Sequence, residues 1–164
     1  MFPDLKLSHC KFLTLTKALI SNDILIKNHS KIIFALEKLK KMKPKKGICV
    51  DGSCTKGNPG VIAFKIIRIE TNEIILQKNM GTGTNNHAEF FGLCKAIQLF
   101  PNETIYCDSL TALSWVRKKR HNSKHKHQSL ESCNAFLQNL KFVPDIRKWD
   151  TVKWGENLAD FGYK

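Results

Sequence analysis

The chain has 164 residues, 42% of them hydrophobic, and its 27 Lys and Arg against 14 Asp and Glu give a net charge of +13. That length suits one domain with an extension, and the apolar share supports a packed core, which excludes general disorder. No apolar run approaches the roughly 20 residues of a membrane span, so no membrane partner is expected.

The first residues, "MFPDLKLSHCKFLTLTKALIS", lack a compact basic region leading into an apolar run and a small-residue cleavage site. A secretory signal is therefore not expected, and the reading is a cytoplasmic protein. Cys10, Cys49, Cys54, Cys94, Cys107 and Cys133 are scattered without a CxxC pair, which reads as reduced thiols and not as a zinc site.

Positive charge is concentrated. Residues 1–46 hold eleven lysines against three acids. The stretch "RKKRHNSKHKH" (117–127) adds six cationic side chains and three histidines with no acid. A single run of this kind reads equally well as a solvated face. Two in one small basic chain point to a polyanion, nucleic acid ahead of an anionic membrane.

Residues 12–42 read as helical, with Ile32, Ile33, Leu36 and Leu39 at helical spacing behind Ser30 as cap. "KMKPKKG" (41–47) follows as a basic linker, because Pro44 disfavours helix at and before it. A strand "ICV" then ends at Asp51. The turn "KGNPG" leads into the β-branched run "VIAFKIIRIE" (61–70), and Thr71-Asn72 turns it into "EIILQKNM" (73–80). A loop "GTGTNN" (81–86) precedes a helix from about His87 to Phe100. "TIYCDS" (104–109) is a fourth strand, followed by the helix "LTALSWVRKK", the basic loop, a helix near Ser129–Leu140 and a fifth strand within "DIRKWDTV" (145–152). Three successive strands and then alternating helix and strand describe a mixed α/β sheet flanked by helices.

Four acids fall at telling places. Asp51 ends the first strand, Glu89 lies in the first turn of the helix after "TNN", Asp108 ends the fourth strand, and Asp160 sits in "GENLADFG". If the first and fourth strands are neighbours, these carboxylates meet at one end of the sheet, where ligands bind in folds of this kind. Converging without basic partners, they would repel one another, and hard divalent cations would relieve the repulsion. Each acid alone also reads as a turn former, helix-start charge, strand-end cap or surface residue.

Together, "DGSCTKGNPG", "TNNHAEFFGLCKAI", "IYCDS" and "GENLAD" resemble ribonuclease H of type I in order and approximate spacing, over residues 47–164. The resemblance implies a ribonuclease H-like fold: a five-stranded mixed sheet, three antiparallel strands then two parallel, flanked by helices. It makes 47–164 the catalytic domain and 1–46 a basic, helical N-terminal extension. It also implies a metal-dependent endonuclease that cuts the RNA strand of RNA/DNA hybrids, leaving 5′-phosphate and 3′-hydroxyl ends.

On that resemblance Asp51, Glu89, Asp108 and Asp160 are the catalytic metal ligands, holding two Mg²⁺ ions, or Mn²⁺ as substitute, roughly 3.5–4 Å apart. Ser53, Cys54, Asn58, Asn85 and Asn86 match groups that contact the minor groove and the RNA 2′-hydroxyls, and Thr84 matches a position that binds a DNA phosphate. Arg117, Lys118, Lys119, Arg120, Lys124 and Lys126 lie where some members carry a basic handle. The expected partner is the hybrid, bound by a monomer with no obligate protein partner.

Three features depart from the family. Between Val152 and Asp160 there is no histidine, although many members use one there, and Lys153 or Glu156 is the available substitute. Only four residues follow Asp160, so the family's terminal helix is expected to be truncated and Asp160 less rigidly placed. Residues 1–46 lack the aromatic platform of the family's hybrid-binding domain. Two other readings therefore stay open: a non-catalytic hybrid- or RNA-binding protein on the same scaffold, and a related DNA nuclease or recombinase.

Overall fold

The structure, a computed structural model, describes residues 42–142 and 144–162, together with Ile33. The helical reading of residues 12–42 falls almost wholly outside them. Residues 42–47 form neither helix nor strand. All the elements below belong to Lys43–Lys164, the second of two units into which the chain divides.

Five strands form one sheet in the order β3-β2-β1-β4-β5. β1 (Ile48–Thr55), β2 (Gly60–Arg68) and β3 (Glu73–Gly83) make an antiparallel meander, while β4 (Ile105–Cys107) and β5 (Ile146–Lys148) run parallel to β1. This is the expected fold class. Four helices complete it: α1 (Asn85–Leu99), α2 (Leu110–Arg117), α3 (Ser129–Gln138) and the short α4 (Thr151–Trp154). Among the described residues, no helix is long and apolar enough to cross a membrane.

Strand alternation builds two cores. Ile48 and Val50 of β1 join Ile62, Phe64 and Ile66 of β2 in the larger one, which packs against α1, α2 and α3. The intervening Cys49 points to the opposite face, where Ile67, Tyr106, Trp149 and Ala159 form a smaller cluster. Asp51 and Lys65 occupy paired positions across β1 and β2, so both side chains leave the sheet on this second face. In α1 the run His87–Cys94 is buried without a break, as befits a helix enclosed between the sheet and two other helices.

Two boundaries differ from the sequence reading. β1 does not end at Asp51 but continues to Thr55, because Gly52–Thr55 stay paired with Val61–Phe64 of β2. Only the pairing with β4 stops there, at Val50 and Cys107. Likewise "GTGTNN" is not a loop. β3 runs to Gly83, Thr84 caps α1, and both asparagines are helical. The Thr84 hydroxyl accepts from the His87 amide at 3.3 Å, and the His87 ring accepts from the Thr84 amide at 3.4 Å, a capping box with histidine in the reciprocal position.

At Gly52 the backbone of β1 lies directly against that of α1. A Cβ there would collide with the Glu89 amide nitrogen and lie 2.8 Å from the Ala88 carbonyl carbon, both backbone atoms that cannot step aside. Gly52→Ala should therefore destabilise the domain by about 2 kcal/mol or more, read as a lower urea midpoint. A midpoint unchanged within error would show that α1 is free to retreat from the strand.

Candidate active site

Three acids come from three elements. Asp51 is the fourth residue of β1, Glu89 the fifth of α1, and Asp108 directly follows β4. The parallel register Val50↔Cys107 carries Asp108 to a place beside Asp51, and the close approach at Gly52 brings Glu89 to both. One carboxylate oxygen of each acid lies within 4.8 Å of one from each of the others. Glu89 stands beyond the first turn of its helix, since α1 begins two residues earlier than expected.

This crowding is electrostatically costly. Burial, then the Asp108 charge, and more weakly those of Glu89 and Asp160, push the Asp51 carboxyl from 3.8 up to about 8, against a lowering bond from the Gly52 amide. Burial, with Asp108 adding to it, pushes Glu89 from 4.5 to about 7, although bonds from Ser109 and Asn85 favour its charged form. Such a set of hard oxygen donors, too close to be fully ionised together, suits a divalent cation such as Mg²⁺ or Mn²⁺.

Asp160 lies outside the three-acid group. Its Oδ1 accepts from the Gly162 amide at 2.6 Å, while its charge still reaches Asp51. Two residues that the sequence reading passed over hold its segment. Asn157, 4% exposed, donates to the Val50 carbonyl at 2.9 Å and to Asp108 Oδ1 at 3.4 Å. Its own oxygen accepts from the Cys49 thiol at 2.8 Å and the Ala159 amide at 2.9 Å. Lys65 is the second. Its Nζ donates to the Asp160 carbonyl at 2.8 Å and sits 4.4 Å from the Phe161 ring centroid. The lysine thus reaches the main chain of Asp160, and among the described residues no ion pair joins a base to any of the four carboxylates. Asn157 lies within the quoted "GENLAD", and Lys65 is the one charged residue of the run Val61–Ile67. Those were the available signals.

Of the other candidate residues, Asn85 touches the acidic cluster directly. Asn58 Oδ1 accepts from the Asn85 amide at 3.1 Å, and Asn85 Nδ2 donates to Glu89 Oε1 at 3.0 Å, so one chain of bonds links the β1–β2 turn to the acids. The Asn58-Pro59 peptide is cis. The Cys54 thiol bonds the Gly57 carbonyl at 3.0 Å and that of Gly83 at 3.5 Å, and the Ser53 hydroxyl reaches Ala63 O at 3.5 Å. Thr84 is buried as the α1 cap, and Asn86 is exposed.

The basic segment 117–127 divides in two. Arg117 donates to the Ile146 carbonyl at 3.3 Å and Lys119 to that of Leu140 at 2.9 Å, whereas Lys118, Arg120, Lys124 and Lys126 face solvent. Two of its three histidine rings have structural partners: His127 meets the Met80 carbonyl at 2.9 Å, and His121 Nδ1 accepts from the Ser123 amide at 3.1 Å.

Residues 43–155 match the RNase H family. The chain belongs to that family. Similar solved structures include the N-terminal RNase H domain of a Mycobacterium tuberculosis protein fused to maltose-binding protein, 22% identical over 62% of this chain and 82% of that one, with a TM-score of 0.40. RNase H1 from the halophilic archaeon Halobacterium salinarum NRC-1 is 19% identical over 64% and 85% of the two chains, with a TM-score of 0.45. LC11-RNase H1, solved in complex with RNA/DNA hybrid, is 20% identical over 65% and 86%, with a TM-score of 0.44.

In this RNase H domain the raised carboxyls set the sign of a pH effect. Both bind protons more readily folded than unfolded, so their contribution is most favourable below about pH 4 and is lost as pH rises through about 7 and 8. Metal-free protein should therefore lose stability between pH 5 and 8, and Asp51→Asn should recover at least ~1 kcal/mol at pH 8. Urea titrations across that range check both. An identical pH slope in the variant would contradict the assignment.

Proposed function

We propose that the protein is an endoribonuclease that hydrolyses the RNA strand of RNA/DNA hybrids, with residues 47–164 as the catalytic unit and residues 1–46 as a basic extension. One observation carries the reading: an RNase H family chain draws Asp51, Glu89 and Asp108 from β1, α1 and β4 into a cluster spanning 4.8 Å. With Asp160 as the fourth ligand, these acids would hold two divalent ions, Mg²⁺ by preference. Bound there, the ions supply activation of the attacking water and charge relief for the departing ribose 3′ oxygen, which yields 5′-phosphate and 3′-hydroxyl products.

The chain's own groups do the rest. Asn85 is already hydrogen-bonded both to Asn58 and to Glu89. In this reading the two asparagines, with Asn86 and the backbone at Ser53 and Cys54, lie along the RNA strand and register its 2′-hydroxyls, which DNA lacks. Thr84 serves the DNA strand. Exposed Lys118, Arg120, Lys124 and Lys126 bind phosphates without reading sequence.

Purified protein with Mg²⁺ should cleave the RNA strand of a hybrid while leaving double-stranded DNA intact, and Asp51→Asn should lower that rate about a hundredfold or more. Cleavage confined to DNA, or tight hybrid binding without cleavage in Mg²⁺ or Mn²⁺, would overturn the proposal.

A further inference from the structure

We propose that Lys65 is a positioning residue that fixes the Asp160 segment against the acidic cluster, and so builds the part of the metal site that β1, α1 and β4 do not supply. The inference rests on the proposed ribonuclease reading and extends it to a residue outside the acidic set.

Register places Lys65 beside Asp51. Lys65 pairs directly with Asp51 across the antiparallel β1–β2 ladder, so the two side chains rise on the same face of the sheet. That face carries the small cluster on which Leu158 and Ala159 pack. A lysine stem leaving β2 beside Asp51 therefore points toward the incoming segment, and it is half-buried there.

The ammonium holds the segment in two ways. It makes a 2.8 Å bond to the Asp160 carbonyl and lies 4.4 Å from the centre of the Phe161 ring. Two successive residues are thus grasped by one cation, one through the main chain and one through an aromatic face. A carbonyl bond leaves the Asp160 carboxylate unused by the lysine.

Other bonds hold the segment on either side of that grip. Upstream, Asn157 anchors it to β1 through Val50 O, and the Asp160 amide donates to the Asn157 carbonyl at 2.9 Å. Downstream, the Gly162 amide turns back onto Asp160 Oδ1. Asn157 fixes where the segment meets β1, and Lys65 grips it at Asp160 itself, from β2. Ligand groups held by such outer bonds typically lose 10–100-fold in metal affinity when the support is removed.

Lys65→Met keeps the stem and removes the cation, and Lys65→Arg keeps the cation. Three measurements on the full chain separate positioning from direct phosphate binding: Mn²⁺ affinity by calorimetry, amide exchange of Asp160–Gly162, and kcat against KM on the hybrid. Lys65→Met should weaken Mn²⁺ binding about tenfold, speed exchange at those amides and lower kcat, with KM changed less than twofold, and Lys65→Arg should restore most of each. In an Asp160→Asn background, Lys65→Met should cost little further Mn²⁺ affinity. A raised KM with Mn²⁺ affinity and exchange unchanged would overturn the proposal and make Lys65 a phosphate contact. Calorimetry and exchange need no turnover, so wild-type protein inactive on hybrid would sink the ribonuclease reading and leave this one to be decided by them.

Discussion

Three carboxylates sit closer together than water would let them, and the backbone contact at Gly52 keeps them there. Without a side chain at that position, β1 and α1 approach until strand backbone touches the Ala88–Glu89 peptide. The parallel pairing of β1 with β4 brings in Asp108 from the other side. Repulsion and desolvation oppose this arrangement, and it persists because the core beneath it is closely packed. Ile48, Val50, Phe90 and Leu93 are buried there with almost no exposure. The strained electrostatics of the site thus depend on a hydrophobic core that has no part in the chemistry.

The surrounding polar groups follow from the same constraint. Asn157 ties the β1 carbonyl of Val50, the Cys49 thiol and Asp108 to one side chain. Among the described residues, no buried side-chain nitrogen or oxygen lacks a hydrogen-bond partner, so the site's energetic cost lies in crowded charge and not in unmade bonds. Burial also drives the nearby thiols away from reactivity, Cys49 to about 12 and Cys107 well above its ordinary value. Net charge of the opposite sign lies elsewhere, in side chains such as Lys118, Arg120, Lys124 and Lys126, where it can attract a polyanion without neutralising the acids.

Much of this was legible in the sequence, for reasons that also mark the limits. The β-branched run after Gly60 and the turn at Asn72, with its φ of 56°, announce a hairpin by local chemistry alone. The motif order names the acids. What local patterns miss is decided by partners far along the chain. "GSCT" looks like a turn but is strand, because β2 pairs with it and α1 needs a glycine there. The start of α1 was misplaced because its capping box uses His87 where glutamate or glutamine is usual. The four-residue α4, capped by Asp150, carries too little pattern to be seen. Asn157 and Lys65 act across separations of about a hundred residues, which no spacing rule encodes.

Burial and the Asp108 charge hold the Asp51 carboxyl well above the ordinary aspartate range, so the metal-free fold leaves it partly protonated near neutral pH. Carbon-detected NMR titration of the metal-free protein, with aspartate side chains labelled, reads this directly. The account predicts that the Asp51 carboxyl titrates well above the ordinary aspartate range, toward about 8, and that added Mg²⁺ drives it to the ionised form at pH 7. A carboxyl titrating near 4 and indifferent to Mg²⁺ would contradict it.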